Sequence, residues 1–217
     1  MFNMKINRVF FIFGFLFFSS VYSISAQNSG SLFSLSDVLS SLTSKKVTCG
    51  DFILEKTSSK IKRPLKASGK YIFCDTGVVW QTLKPFPSTM TVTKTSLIQV
   101  LSDGTKTVTD GNSNEVFKSI AQTLSTLFSG DKEALEKYFT IKSFNSSASE
   151  WKLVLLPKDK TISTALKKIE LGGGFREKNA SLDRIAISQS ETDLTIYTLF
   201  NQSYFQELNN EQKSFFQ

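Results

Sequence analysis

Gly69–Leu101 reads GKYIFCDTGVVWQTLKPFPSTMTVTKTSLIQVL. Short apolar-polar alternations are cut by Asp75-Thr76-Gly77, by Pro85-Phe86-Pro87 and by Lys94-Thr95. Period-two alternation with breaks of this kind marks an antiparallel meander with one apolar and one wet face. The spacing predicts strands over Gly77–Leu83, Ser88–Thr93 and Ser96–Leu101, then Thr105–Thr109 after the turn Ser102-Asp103-Gly104. Prolines cannot donate to a ladder, so Lys84-Pro85-Phe86-Pro87 belongs at a strand end or bulge.

Two further strands precede the meander. Val47–Thr57 and Lys66–Asp75 flank a basic loop, and aligning Phe52 with Tyr71 brings Cys49 opposite Cys74. Phe52, Leu54, Tyr71 and Phe73 then share one face, and Cys49 and Cys74 lie on the other. In an exported chain with two cysteines the natural reading is a Cys49–Cys74 disulfide, the alternative being two unrelated free thiols. Metal binding is disfavoured, because the chain has no histidine and only two cysteines.

The amino terminus reads as an export signal. Lys5 and Arg8 precede the apolar run Val9–Phe18, and Ser19–Ala26 turns small and polar. That is a secretory signal peptide, residues 1–26, with cleavage expected after Ala26. No cysteine follows the run closely, so the mature chain is expected to be soluble and unlipidated, one domain over 27–217. Its net charge falls from +7 to +5 when Lys5 and Arg8 are removed. There is no dense Lys/Arg stripe, which argues against nucleic acid as a partner. Lys60–Lys66 (KIKRPLK) is the densest basic cluster. It reads as a solvated hairpin tip or as a docking patch for an acidic partner or anionic membrane.

Helices bracket the first strands. Ser34 and Asp37 form a capping-box pair ahead of Leu35, Val38, Leu39 and Leu42, which fall on one stripe. After Asp110-Gly111-Asn112 the period changes. Val116, Phe117, Ile120, Leu124, Leu127 and Phe128 define one face of a helix over Glu115–Phe128, and a shorter helix runs from Asp131 to Phe139. The chain then returns to strands over Phe139–Phe144, Glu150–Leu156, Ile162–Leu171, Leu182–Gln189 and Thr192–Phe200. Gly172-Gly173-Gly174 reads as a break, and Tyr204–Phe216 as an edge strand or short helix.

Nothing in the sequence points to catalysis. No histidine shuttles protons, no GxSxG occurs, and the acids near turns and helix starts have local roles there. The reading is a non-enzymatic protein without a cofactor: a mainly β (α+β) sheet around something apolar.

The order of these segments resembles the LolA family of periplasmic outer-membrane lipoprotein carriers. The likeness runs from the leading helix through the GDF strand, Gly69-Lys70-Tyr71-Ile72-Phe73, Trp80 and Pro85-Phe86 to the helical pair and Trp151–Pro157. The resemblance implies a curved, incomplete antiparallel β-barrel with a helical lid over an apolar cavity. It implies a periplasmic chaperone that shields the acyl chains of lipoproteins between the inner and outer membranes. The implied partners are acylated lipoproteins, an inner-membrane ABC-type release complex and an outer-membrane acceptor. Candidate lining residues are Phe52, Leu54, Tyr71, Phe73, Trp80 and Trp151; lid candidates are Val116, Phe117, Ile120, Leu124, Leu127 and Phe128. One departure stands out. Family carriers place an arginine before a proline ahead of the tryptophan, and here that neighbourhood is Cys74-Asp75-Thr76-Gly77. The alternatives are a related carrier or sensor of free lipids or glycolipids, and a non-lipid structural module.

Overall fold

The computed structural model describes residues 32–93, 95–110 and 132–217, all within one compact unit, Ser31–Gln217. Residues 1–26, expected from the sequence to be a signal peptide, and the six lid candidates, Val116, Phe117, Ile120, Leu124, Leu127 and Phe128, lie outside the described residues.

Helix α1 (Leu35–Thr43) starts at Ser34, whose hydroxyl accepts from the Asp37 amide while the Asp37 carboxylate accepts from the Ser34 amide. This capping box satisfies donors that the first turn leaves open. Leu35, Val38, Leu39 and Leu42 are buried, so the helix is held by its stripe. The meander follows as β1 (Val47–Thr57), β2 (Leu65–Cys74), β3 (Gly77–Lys84), β4 (Ser88–Thr93), β5 (Ser96–Leu101) and β6 (Lys106–Asp110). Next come α2 (Lys132–Tyr138), β7 (Phe139–Ser146), β8 (Glu150–Pro157), α3 (Lys160–Ala165) and β9 (Lys168–Arg176). The last elements are β10 (Asn179–Ala180), β11 (Arg184–Ser188), β12 (Leu194–Phe205) and α4 (Asn210–Ser214).

The strands form one antiparallel sheet in the order β6-β5-β4-β3-β2-β1-β12-β11-β9-β8-β7, with β10 beside β9. Among the described residues β6 and β7 end the sheet and do not pair, so it is not closed. The long-range step is β1 against β12, which joins the amino-terminal meander to the carboxy-terminal strands.

The β1–β2 register corrects the sequence reading by two residues. Tyr71 stands opposite Gly50, and Phe52 opposite Gly69, so Cys49 faces Ile72 and Cys74 faces Val47. The cause is steric. A Cβ on Gly50 would lie 2.8 Å from the Tyr71 ring. Each aromatic is set over a residue with no side chain. A slip of two residues preserves which face each side chain takes, so Cys49 and Cys74 still share the outer face. They are diagonal neighbours, however, and both are free thiols. A diagonal pair has Cα atoms about 7–8 Å apart, beyond the usual reach of a disulfide.

Two other segments differ from expectation. Ile162 begins no strand: the Asp159 carboxylate accepts from the Ile162 amide at 3.0 Å and starts α3. The triglycine run is not a break but the middle of β9, crossed by 181–183, where Ser181 donates its amide to Gly174 and Asp183 donates its amide to Gly172. The carboxy-terminal segment forms a strand end and then a helix. α4 starts at Asn209 with its own capping box.

α4 and its flanks cover the outer face. Val47, Ile72, Cys74 and Val79 form a second buried cluster beneath Leu208, Phe215 and Phe216, with Cys49 at its edge. The Gln212 amide donates to Cys49 Sγ at 3.3 Å. Burial pushes both thiols up from their ordinary range.

Two outcomes follow from the sheet. Denatured, unreduced mature protein should show two alkylatable thiols by mass spectrometry; none would mean that the two-residue register is wrong. The Lys168 and Lys152 ammoniums, at 2.6 and 2.9 Å, hold the Glu170 carboxyl down at about 2. Its folded value is below its unfolded one, so the pair's stabilisation is complete above pH 4.5 and is lost as pH falls towards about 2. Glu170→Gln should flatten the fall in melting temperature across that window, and an unchanged acid profile would contradict the assignment.

Candidate functional site

The core face of the sheet is built around an aromatic cluster. Tyr71 and Trp80 stand directly opposite one another on β2 and β3, and Trp80 stands opposite Met90 on β4. On the far side of β1, Leu54 faces Tyr197 and Phe52 faces Leu199. Alternation along each strand brings these residues to one face. Trp80 is the hub: its ring centroid is 4.4 Å from Tyr197, 5.2 Å from Phe52, 5.3 Å from Phe73 and 5.9 Å from Tyr71. The Phe52 and Phe73 contacts are edge-on, at 89° and 78°, the arrangement ring quadrupoles favour.

All six sequence-predicted lining residues reach this face. Phe52, Tyr71, Phe73, Trp80 and Trp151 are buried in one cluster, and Leu54 packs against it partly buried. They divide into two groups. Phe52, Leu54, Tyr71, Phe73 and Trp80 lie together on β1–β3. Trp151 belongs to β8 in the other half of the sheet, among Leu153, Leu155, Ile169 and Leu171, and its indole donates to the Ser181 carbonyl at 2.9 Å. That bond anchors Trp151 as part of the wall. Met90, Ile141, Phe144 and Tyr197 are partly buried at the border of the same cluster.

Tyr197 is the member that sequence reasoning missed. In β12 Thr195, Tyr197 and Leu199 alternate with Ile196, Thr198 and Phe200, and both sets carry apolar bulk. The deciding signal is pairing, since Tyr197 lies opposite Leu54. Beyond Phe200 the strand bulges at Asn201, which has φ of 53°, and the faces exchange. Gln202 and Tyr204 then lie on the core-face side, with Tyr204 still 43% exposed at its edge. The Gln202 amide donates to the Leu182 carbonyl and to the Asp183 carboxylate, and the Tyr204 hydroxyl donates to the Gln202 oxygen. Lys45 closes this border, donating to the Ala180 carbonyl at 2.8 Å with its ammonium 4.0 Å from the Tyr204 ring centroid.

Electrostatically the face is neutral. Burial pushes the Tyr197 phenol up to about 12 and also raises the Tyr71 phenol, so neither ionises near neutral pH. Among the described residues no group of three or more His, Cys, Asp or Glu could hold a metal ion. What the face offers is apolar area and aromatic edges.

A family model described as outer membrane lipoprotein carrier protein LolA-like matches residues 28–193. No curated protein matches the sequence. Similar solved structures include a DUF1329 family protein from Desulfovibrio piger, 10% identical over 81% of this chain and 92% of that one, with a TM-score of 0.48. Another is a LolA superfamily protein from Nitrosomonas europaea, 7% identical over 80% of this chain and 94% of that one, with a TM-score of 0.43.

The Tyr71 hydroxyl is buried without a hydrogen-bond partner among the described residues. Leaving such a group unpaired costs about 1–3 kcal/mol. Tyr71→Phe should therefore leave stability unchanged or raise it by ~1 kcal/mol in denaturant melts; a loss above that size would show that the hydroxyl is bonded.

Proposed function

The chain belongs to the family of LolA-like outer membrane lipoprotein carrier proteins, and from that membership we propose that it shields the acyl chains of lipoproteins crossing the periplasm. The observation that carries the reading is the Trp80-centred aromatic face, with Leu54, Met90 and Tyr197 incompletely buried at its border. Acyl chains gain about 0.8 kcal/mol per methylene on leaving water. A neutral apolar wall therefore suffices to hold them, with no reactive group. In this reading the export signal over residues 1–26 delivers the chain to the periplasm, where the single domain over 27–217 acts without catalysis. In this reading the segment with Val116, Phe117, Ile120, Leu124, Leu127 and Phe128 is the cover of an apolar cavity, the role the family membership suggests for it. Cargo passes from an inner-membrane release complex to an outer-membrane acceptor.

The experiment is purification of the exported chain from cells making a tagged lipoprotein, followed by mass spectrometry of what accompanies it. The expected result is intact triacylated or diacylated lipoprotein that transfers to acceptor-bearing outer-membrane vesicles. Recovery of free lipid alone would replace the reading with a free-lipid carrier. Leu54→Glu and Met90→Glu place charge at the border of the face and should cut cargo recovery about tenfold, the scale of one buried apolar side chain lost. Their thermal melts check that the sheet survives. Undiminished recovery would remove this face from the binding site.

A further inference from the structure

A second surface lies at one end of the sheet. β1 reaches this end at Thr57 and β2 leaves it at Leu65, while β3 reaches it at Lys84 and β4 leaves it at Ser88. Ser68 pairs with Lys84, so the β1–β2 tip and the β3–β4 turn are neighbours. The tip carries Lys60, Lys62 and Arg63, and the turn adds Lys84, all exposed. Among the described residues none of these four forms an ion pair within 4.0 Å, whereas Lys66 is paired with Glu55 at 2.6 Å. Asp193 is the acidic group close to Lys60; the Ser58 hydroxyl beside it is the main cause holding its carboxyl below the usual range.

Between these cations stand large apolar side chains with no cover. Phe86 is 80% exposed and Leu65 is 55% exposed. A solvated hairpin tip explains the charges but not two bulky apolar residues held out among them. Cations interleaved with exposed aromatic and aliphatic side chains complement an anionic bilayer. Its phosphates meet the cations, and its acyl boundary accepts the apolar groups.

We propose that this end of the sheet, Lys60, Lys62, Arg63 and Lys84 with Leu65 and Phe86, is a contact surface for anionic phospholipid membranes. The proposal is independent of what the core face holds, because it requires no cargo. It gives the protein a reversible means of resting on a bilayer with the sheet's strands directed towards it.

The test is co-sedimentation of the full mature chain, without cargo, with vesicles of phosphatidylcholine and with vesicles containing phosphatidylglycerol. Binding is expected to the anionic vesicles and not to the neutral ones. It should disappear when ionic strength rises from about 0.05 M to about 0.5 M. Changing Lys60, Lys62 and Arg63 together to Glu should lower partitioning on the order of a hundredfold, and Phe86→Ser should lower it about tenfold. A charge-matched variant at the opposite end, with Lys46, Arg176 and Lys178 changed to Glu, should bind within about threefold of the parent, since its charges lie beyond a Debye length from the contact. Lys62→Gln with Arg63→Gln removes charge at nearly constant size and should give an intermediate loss, which guards against a misfolded triple variant. Equal binding to both vesicle types would overturn the proposal, as would no binding or equal losses from the two triple variants. Capture of an acidic protein by the tip without vesicle binding would assign the surface to a protein partner instead.

Discussion

The pairing of aromatics with glycines across β1 and β2 governs the rest of this structure. Tyr71 packs into the space a side chain on Gly50 would take, and in the same register Phe52 stands opposite Gly69. That register aligns Tyr71 with Trp80 on one side. On the other side β1 presents Leu54 to Tyr197 and Phe52 to Leu199. Bulky side chains thus converge on Trp80 from four strands without competing for the same volume. Close packing is what makes the face continuous across the β1–β12 junction, where the two halves of the chain meet.

The two faces of the sheet then acquire different chemistry. The core face is an aromatic wall whose phenols stay neutral. The outer face carries a smaller cluster, Val47, Ile72, Cys74 and Val79, covered by the chain's own carboxy-terminal helix. Self-coverage there keeps a second apolar patch out of water. The bulge at Asn201 brings Gln202 and Tyr204 to the side of the sheet that Tyr197 already takes. In the proposed role, this separation leaves one face for alkyl chains, while the basic end of the sheet is free to meet a bilayer.

Much of this was legible in the sequence, and the errors have identifiable causes. The α1 capping box and the strands from Val47 to Leu101 stand close to where alternation and turn residues put them. Phe52, Tyr71, Phe73, Trp80 and Trp151 are buried in the core cluster and Leu54 packs against it, as alternation on their strands requires. The register was misjudged because a period of two is blind to a slip of two residues. Aligning aromatic with aromatic looked natural, whereas volume favours aromatic against glycine. The same slip moves Cys49 and Cys74 from a facing to a diagonal position. α3 was hidden because Ile162 and Leu166 fit the start of the strand that follows. Tyr197 escaped because both sides of β12 carry apolar residues. The segment over 115–128, whose spacing predicts a helix and which is the proposed cover, lies outside the described residues.

The central claim is that alkyl chains lie against Trp80. The sequence has two tryptophans, so Trp151→Phe leaves Trp80 as the sole indole emitter and Trp80→Phe leaves Trp151. Titrating each variant with a lipopeptide brominated along its acyl chain measures contact directly, because bromine quenches only a neighbouring indole. The account predicts saturable quenching of Trp80 that an unbrominated lipopeptide competes away. Unquenched Trp80 emission in protein that demonstrably binds the lipopeptide would contradict it.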